Sequence, residues 1–190
     1  MSLENLEATL QEAFDASTKI YEERGFRRRI GFGKKPALIS VDLANAWTRP
    51  GNPFTCDQDK MDQEIIPGMQ RLLEACRAQG HVIVHVTTAY QIPDRTNPHT
   101  DMGLWHCKIP MEAVDLADEA LWQIDSRIAP RDDEYVMMKK RASSFHGTPL
   151  AGYLRSCGVD TIIVTGVTAT ACVRTTICDR LADGFRTIAV

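Results

Sequence analysis

The chain has no apolar run approaching the roughly 20 residues that a membrane-spanning helix needs. Its N-terminus, Leu3 to Tyr21, alternates charged and apolar residues where a secretory signal would place an unbroken apolar core. No membrane partner is expected, and the predicted location is cytoplasmic. A surplus of positive charge is also missing: 22 Lys and Arg stand against 25 Asp and Glu, a formal net charge of -3. The long-range attraction that nucleic acids or anionic membranes require is therefore absent overall. One basic cluster, Arg24, Arg27, Arg28, Arg29, Lys34 and Lys35, departs from this balance and reads as a solvated arm or a subunit contact. Cys-x-x-Cys spacing is lacking among the six cysteines of a chain large enough to fold without cross-links, so disulfides and a zinc ribbon are both discounted. No Pro- or Gly-rich linker divides the chain, which predicts an α/β domain over residues 31–190 behind an N-terminal helix and basic arm over residues 1–30. Nor is there a phosphate loop: Gly31-Phe32-Gly33-Lys34-Lys35 lacks the final Ser or Thr and precedes a strand instead of following one.

What the chain does contain is organised around Thr161 to Ala182. The β-branched run Thr161 to Thr165 predicts a strand buried on both faces of a parallel sheet. Small and polar residues then make a turn after Gly166, and Val173, Ile177 and Leu181 recur as a helix stripe that stops at Gly184. Cys172 falls where the strand has ended and the helix begins. Free backbone N–H groups and the helix dipole favour negative charge at such a place, which predicts a thiol pKa below the ordinary value. On composition alone the same residue reads as a small buried hydrophobe.

Further strands are predicted at Ala37 to Val41, His81 to Thr87, Tyr135 to Met138 and from Phe185 onward. Helices are predicted over Met61 to Gln79, with Pro67 as a kink or the true start, and from Thr148 to Gly158. This alternation predicts a doubly wound, Rossmann-like three-layer α/β/α fold with a parallel sheet. Asp42 at the end of the first strand, Lys139 just past the third and Cys172 after the fourth then share the carboxyl edge, where such sheets bind ligands. They would supply an acid/base, a cation and a nucleophile. His81 and His85 are expected on one strand face among valines with no carboxylate at ligand spacing, which argues against a metal. The loop from Thr88 to Pro110 carries Trp105, which either lines a pocket or pins the loop to the core. The N-terminal stripe Leu3, Leu6, Leu10 and Phe14 suits packing on a second subunit, and a homo-oligomer, tetramer or dimer, is expected.

Four stretches carry a family resemblance: ALISVDLANAW, GLWHCKIP, VMMKKRASSFHGTPL and GVTATACVRTTICDRLADGFR. In this order they resemble the isochorismatase-like cysteine hydrolases, and within them most closely the N-carbamoylsarcosine amidases. The resemblance implies that Asp42, Lys139 and Cys172 form a catalytic triad. It also implies that the Val167–Thr168 peptide bond is cis and that the N–H groups of Thr168 and Cys172 form an oxyanion hole. The implied substrate is a small linear amide or ureido acid, with no cofactor. Nicotinamidases of this superfamily carry an aspartate and two histidines that hold zinc. That group is not found here, and no metal is predicted. Ala44 stands where the family often has glutamine. Trp105, Arg95 and Arg174 are the candidate substrate-binding residues, the arginines because a guanidinium suits a carboxylate. Two alternatives stay open: a maleamate-type amidase using the same groups, and a non-catalytic oligomeric α/β module.

Overall fold

A computed structural model describes residues 3–26, 28–93 and 100–190, in two compact units, Met1–Gly31 and Phe32–Val190. The first unit is the helix Leu3–Glu23 followed by a turn. Gly25 takes a φ of 76° there, and the chain folds back so that the Phe26 N–H donates to the Tyr21 carbonyl at 2.9 Å. The two rings meet edge to face, 6.1 Å apart.

The second unit is built on a five-stranded parallel sheet in the order β3-β2-β1-β4-β5. The strands are β1 Pro36–Val41, β2 Val82–Thr88, β3 Tyr135–Lys139, β4 Thr161–Gly166 and β5 Arg186–Ala189. Strand β1 lies at the centre between β2 and β4, and it is paired with β4 from Pro36↔Thr161 to Val41↔Gly166. Burial on both faces explains why β1 and β4 carry apolar runs, Ala37 to Ile39 and Ile162 to Val164, instead of an apolar/polar alternation. Ala37, Ile39 and Val41 pack with Leu150 and Leu154 of the Leu150–Ser156 helix and with Val173. Leu38 and Ile163 pack on the other face with Ile66, Met69 and Leu73 of the Ile66–Ala78 helix. Helices thus cover both faces, and the predicted α/β/α layering holds.

Several boundaries differ from those expected of the sequence. Strand β2 starts at Val82 and ends at Thr88, so His81 lies outside it and Thr88 is its last residue. Lys139 is the final residue of β3, not the first one past it. Pro67 follows a π-helical turn, Met61–Ile65, and the change of winding accommodates its absent N–H. The stripe after Cys172 is buried only at its start: Val173 is buried and Leu181 is 49% exposed. The Gly-Phe-Gly-Lys-Lys turn grips the chain itself. The Lys34 and Lys35 N–H groups donate to the Asp160 carboxylate at 2.7 and 3.1 Å and hold its pKa below the ordinary value.

Gly166 fixes the path of the chain toward Cys172. With φ at 123°, it ends β4 against the backbone of β1, and a Cβ there would overlap the Val41 carbonyl oxygen. The Val167 N–H donates to that same carbonyl at 3.0 Å. The segment leading to Cys172 is thereby pressed against the end of β1.

His85 is not a ligand in waiting but part of a buried ion network. Its Nε2 lies 2.9 Å from Glu134 Oε2, and Arg77 holds the same carboxylate through Nε and Nη2 at 2.6 and 2.9 Å. Burial pulls the His85 pKa below its ordinary value despite Glu134, while Arg77, against the effect of burial, holds Glu134 down at about 2. A histidine whose folded pKa is lowered takes its proton in the unfolded chain first, so its contribution to stability is lost as pH falls below the ordinary value near 6.5. We expect denaturant midpoints to decline between pH 7 and pH 5, by at most about 1.4 kcal/mol per pH unit from this one proton, and the slope to flatten in His85→Gln. An unchanged slope in the variant would assign the loss to another group.

Candidate active site

Strands β1, β2 and β3 all end at one edge, each with a polar residue at or just past its end. Asp42 follows β1 with a left-handed φ of 54°, and its N–H donates to the Val86 carbonyl at 2.8 Å. Aspartate tolerates this region better than most residues, and the turn takes its side chain out of the strand alternation. Thr88 ends β2 and Lys139 ends β3, and the two are paired in register. Because β2 lies between β1 and β3, Lys139 reaches Asp42 across the end of β2. Its ammonium sits 2.9 Å from Asp42 Oδ2, 2.7 Å from Thr88 Oγ1 and 3.3 Å from Cys172 Sγ. Thr88 in turn donates to Asp42 Oδ1 at 2.8 Å. Cys172 lies in a π-helical turn, Ala169–Val173, that leads into the Arg174–Ala182 helix. The Val167–Thr168 peptide bond is cis.

The electrostatics correct one expectation. The Cys172 thiol is not lowered but pushed up to about 11, first by burial and then by the Asp42 charge, with Lys139 pulling the other way. At pH 7 roughly one molecule in ten thousand would carry a thiolate at rest. The dipole effect anticipated for a helix start is outweighed because Cys172 is the fourth residue of the helical run and sits beside a carboxylate. Lys139 is almost wholly buried, which disfavours its charge, yet Asp42 and Cys172 raise its pKa above the ordinary value. The resting arrangement is therefore a neutral thiol beside a carboxylate–ammonium pair. A nucleophile can be made from it by moving the thiol proton onto Asp42.

These groups line a cavity of about 170 Å³, small beside the roughly 300–1,000 Å³ of a site for drug-sized ligands. Its walls are mostly apolar: Trp47, Phe54, Tyr90, Trp105, Ile109 and Val114. Trp47 and Phe54 stack at 5.5 Å. Of the residues singled out in the sequence, Asp42, Lys139, Cys172, Thr168 and Trp105 all line it. Val167 is buried in the core. Arg174 is not brought in: two positions beyond Cys172 it is turned away around the helix axis, and it is exposed. Arg95 lies outside the described residues. Lys139 is the one cation in the lining among the described residues. Ala44 is fully buried and bridged to Ile124, not part of the cavity floor.

Thr88, Tyr90 and the Trp47–Phe54 pair were missed. The rule that selected Asp42, a polar residue at the carboxyl end of a buried strand, would have found Thr88 as well. The aromatic walls had no comparable signal, since they come from turns and helices of one turn, too short for a periodic pattern. The neighbouring lysine, Lys140, points elsewhere: its Nζ donates to the Ala89 carbonyl at 2.6 Å and pairs with Asp101 at 2.7 Å. Arg141 also holds the Asp101 carbonyl, at 3.0 Å. Together they pin the segment that carries Trp105 and Ile109 over the cavity.

A family model described as the isochorismatase domain matches residues 36–190. N-carbamoylsarcosine amidase of an Arthrobacter species is 52% identical over 183 residues, covering 96% of this chain and 68% of that protein. Maleamate amidohydrolase of Pseudomonas putida is 34% identical over 163 residues, covering 86% and 73%. Among solved structures, N-carbamoylsarcosine amidase from Thermoplasma acidophilum superposes with a TM-score of 0.66 at 28% identity, covering 83% of this chain and 82% of that one.

Replacing Asp42 with asparagine leaves the burial that chiefly raises the thiol pKa but removes the carboxylate charge that adds to it, with Lys139 still beside the sulfur. We expect Asp42→Asn to ionise Cys172 at lower pH than the wild type, read from the pH dependence of Cys172 alkylation followed by peptide mapping. A thiol pKa equal to or above the wild-type value would contradict the electrostatic account.

Proposed function

The chain belongs to the isochorismatase domain family and is an amidohydrolase within it; we propose that it works through Cys172, Asp42 and Lys139 and that its substrate is N-carbamoylsarcosine. The products would be sarcosine, carbon dioxide and ammonia. The observation that carries this reading is the buried Lys139 ammonium in contact with both Asp42 and Cys172, at 2.9 and 3.3 Å.

In the proposed mechanism Asp42 takes the thiol proton as sulfur attacks the carbamoyl carbon. Lys139 stabilises the thiolate as it forms. The oxyanion of the tetrahedral intermediate faces the N–H groups of Thr168 and Cys172, and one such donor is typically worth a hundredfold or more in rate. Protonated Asp42 returns its proton to the departing ammonia, leaving a carbamoyl thioester on Cys172. Asp42 then activates water to release the thiol and a carbamate, which loses carbon dioxide. Trp47, Phe54 and Trp105 supply an apolar wall for the methyl and methylene groups of sarcosine and exclude water from the charged groups. A second reading is a maleamate amidase, favoured by the 34% identity to a maleamate amidohydrolase. The same acyl-transfer steps would serve it.

Competition decides between them. We expect kcat/KM for N-carbamoylsarcosine to exceed that for maleamate by at least about tenfold, a difference of roughly 1.4 kcal/mol in transition-state binding. The opposite order would transfer the assignment to maleamate. Cys172→Ala should fold normally and release no ammonia from either, and turnover within tenfold of wild type would remove Cys172 as the nucleophile.

A further inference from the structure

The mechanism leaves one buried contact unused. Thr88 is 5% exposed and touches both charged members of the pair, yet neither proton transfer nor acyl transfer passes through it. We propose that Thr88 is a positioning residue, whose hydroxyl fixes the relative orientation of the Asp42 carboxylate and the Lys139 ammonium and leaves Asp42 Oδ2 open as the acceptor of the Cys172 proton. The inference rests on the proposed cysteine mechanism but not on the identity of the amide.

The direction of the hydroxyl follows from what each group can do. An ammonium has three donors and no acceptor, so in its 2.7 Å contact with Lys139 Nζ the Thr88 oxygen can only accept. Its own hydrogen must then point elsewhere, and a carboxylate oxygen stands 2.8 Å away, Asp42 Oδ1. Thr88 is thus polarised from both sides, accepting from the cation and donating to the anion. Oδ1 is occupied by this bond. Oδ2 lies 2.9 Å from Nζ but has no hydrogen bond aligned on it, although it is fully buried. The pair is close enough for charge attraction, while Oδ2 keeps a lone pair free. The remaining partner of Nζ is Cys172 Sγ at 3.3 Å, so the thiol receives a Lys139 hydrogen and its own proton is free to turn to the carboxylate.

Without the hydroxyl, the buried Nζ lacks one acceptor and the buried Asp42 loses one donor at Oδ1. The two relieve each other directly, since a buried unpaired donor and acceptor are costly to leave apart. That movement draws the ammonium off Cys172 Sγ and covers the carboxylate, so both thiolate formation and proton transfer suffer. Trp47, Phe54 and Trp105, the walls given to the carbon groups of the substrate, keep their places, so the effect is expected in kcat more than in KM.

The test uses the full chain with Thr88→Val, which keeps the shape and loses the hydroxyl, Thr88→Ala as a second deletion, and Thr88→Ser, which restores it. Two rates are measured at one pH: alkylation of Cys172 by iodoacetamide, and ammonia release from N-carbamoylsarcosine. We expect both deletions to slow alkylation at least tenfold and to lower kcat by as much, with KM within threefold of wild type. Thr88→Ser should bring both rates back to within threefold. Wild-type alkylation in either folded deletion variant overturns the proposal, as does a serine variant no faster than the deletions. If the wild type is alkylated at Cys172 but does not hydrolyse N-carbamoylsarcosine, the substrate assignment fails, and the alkylation rates alone decide the role of Thr88.

Discussion

A lysine ammonium with 1% of its side chain exposed is the constraint around which this site is assembled. Removing such a group from water costs several kcal/mol unless its donors are met, and taking away one partner of a buried ion pair typically costs about 3–5 kcal/mol. Lys139 meets its partners through three different parts of the fold: Asp42 after β1, Thr88 at the end of β2, and Cys172 in the turn after β4. The requirement is topological. With the order β3-β2-β1-β4, the lysine of β3 must pass over β2 to reach β1, and the residue it crosses has to be polar, small and able to accept. Threonine satisfies all three conditions.

The same pair decides the resting chemistry. Asp42 and Lys139 compensate each other's charge, and the thiol beside them stays protonated because burial and the carboxylate both oppose a second negative charge. In the proposed mechanism the thiolate nucleophile and the acid that later protonates ammonia are therefore made in a single proton transfer, and no standing thiolate is held ready. Apolar walls of Trp47, Phe54 and Trp105 lower the local dielectric, which strengthens every charge interaction in the cavity. A protonated resting thiol is also less exposed to oxidation than a thiolate would be.

Adjacent residues at the end of β3 divide two tasks between them. Lys139 turns inward to the charged centre, and Lys140 turns to the Ala89 carbonyl and Asp101. The Asp101 carboxylate also accepts the Gln91 N–H at 2.9 Å, so the segment bearing Trp105 is tied to the end of β2 from both sides. The period of two in an extended strand makes this division possible, because neighbouring side chains point to opposite sides.

Much of this was legible without coordinates. The β-branched runs, the strand–turn–helix around Cys172 and the strand-end positions of Asp42 and Lys139 follow from local periodicity and from the rule that parallel sheets bind ligands at their carboxyl edge. These are short-range properties, and they led to the layering and to three of the groups in the cavity. Other features depended on distance in space. Arg174 is two residues from Cys172 in sequence yet faces away from the cavity, whereas Thr88, 84 positions before Cys172, stands beside the same lysine. The thiol's pKa was misjudged for the same reason: the helix start is visible in the chain, but the burial and the neighbouring carboxylate that outweigh it exist only once β1 and β4 are paired. Composition and spacing determined which groups this protein has and which edge of the sheet they reach. Tertiary packing alone decided which atoms touch, because hydrogen bonds in a buried site are lost within about an ångström of misplacement, and charge interactions there depend on separation and burial.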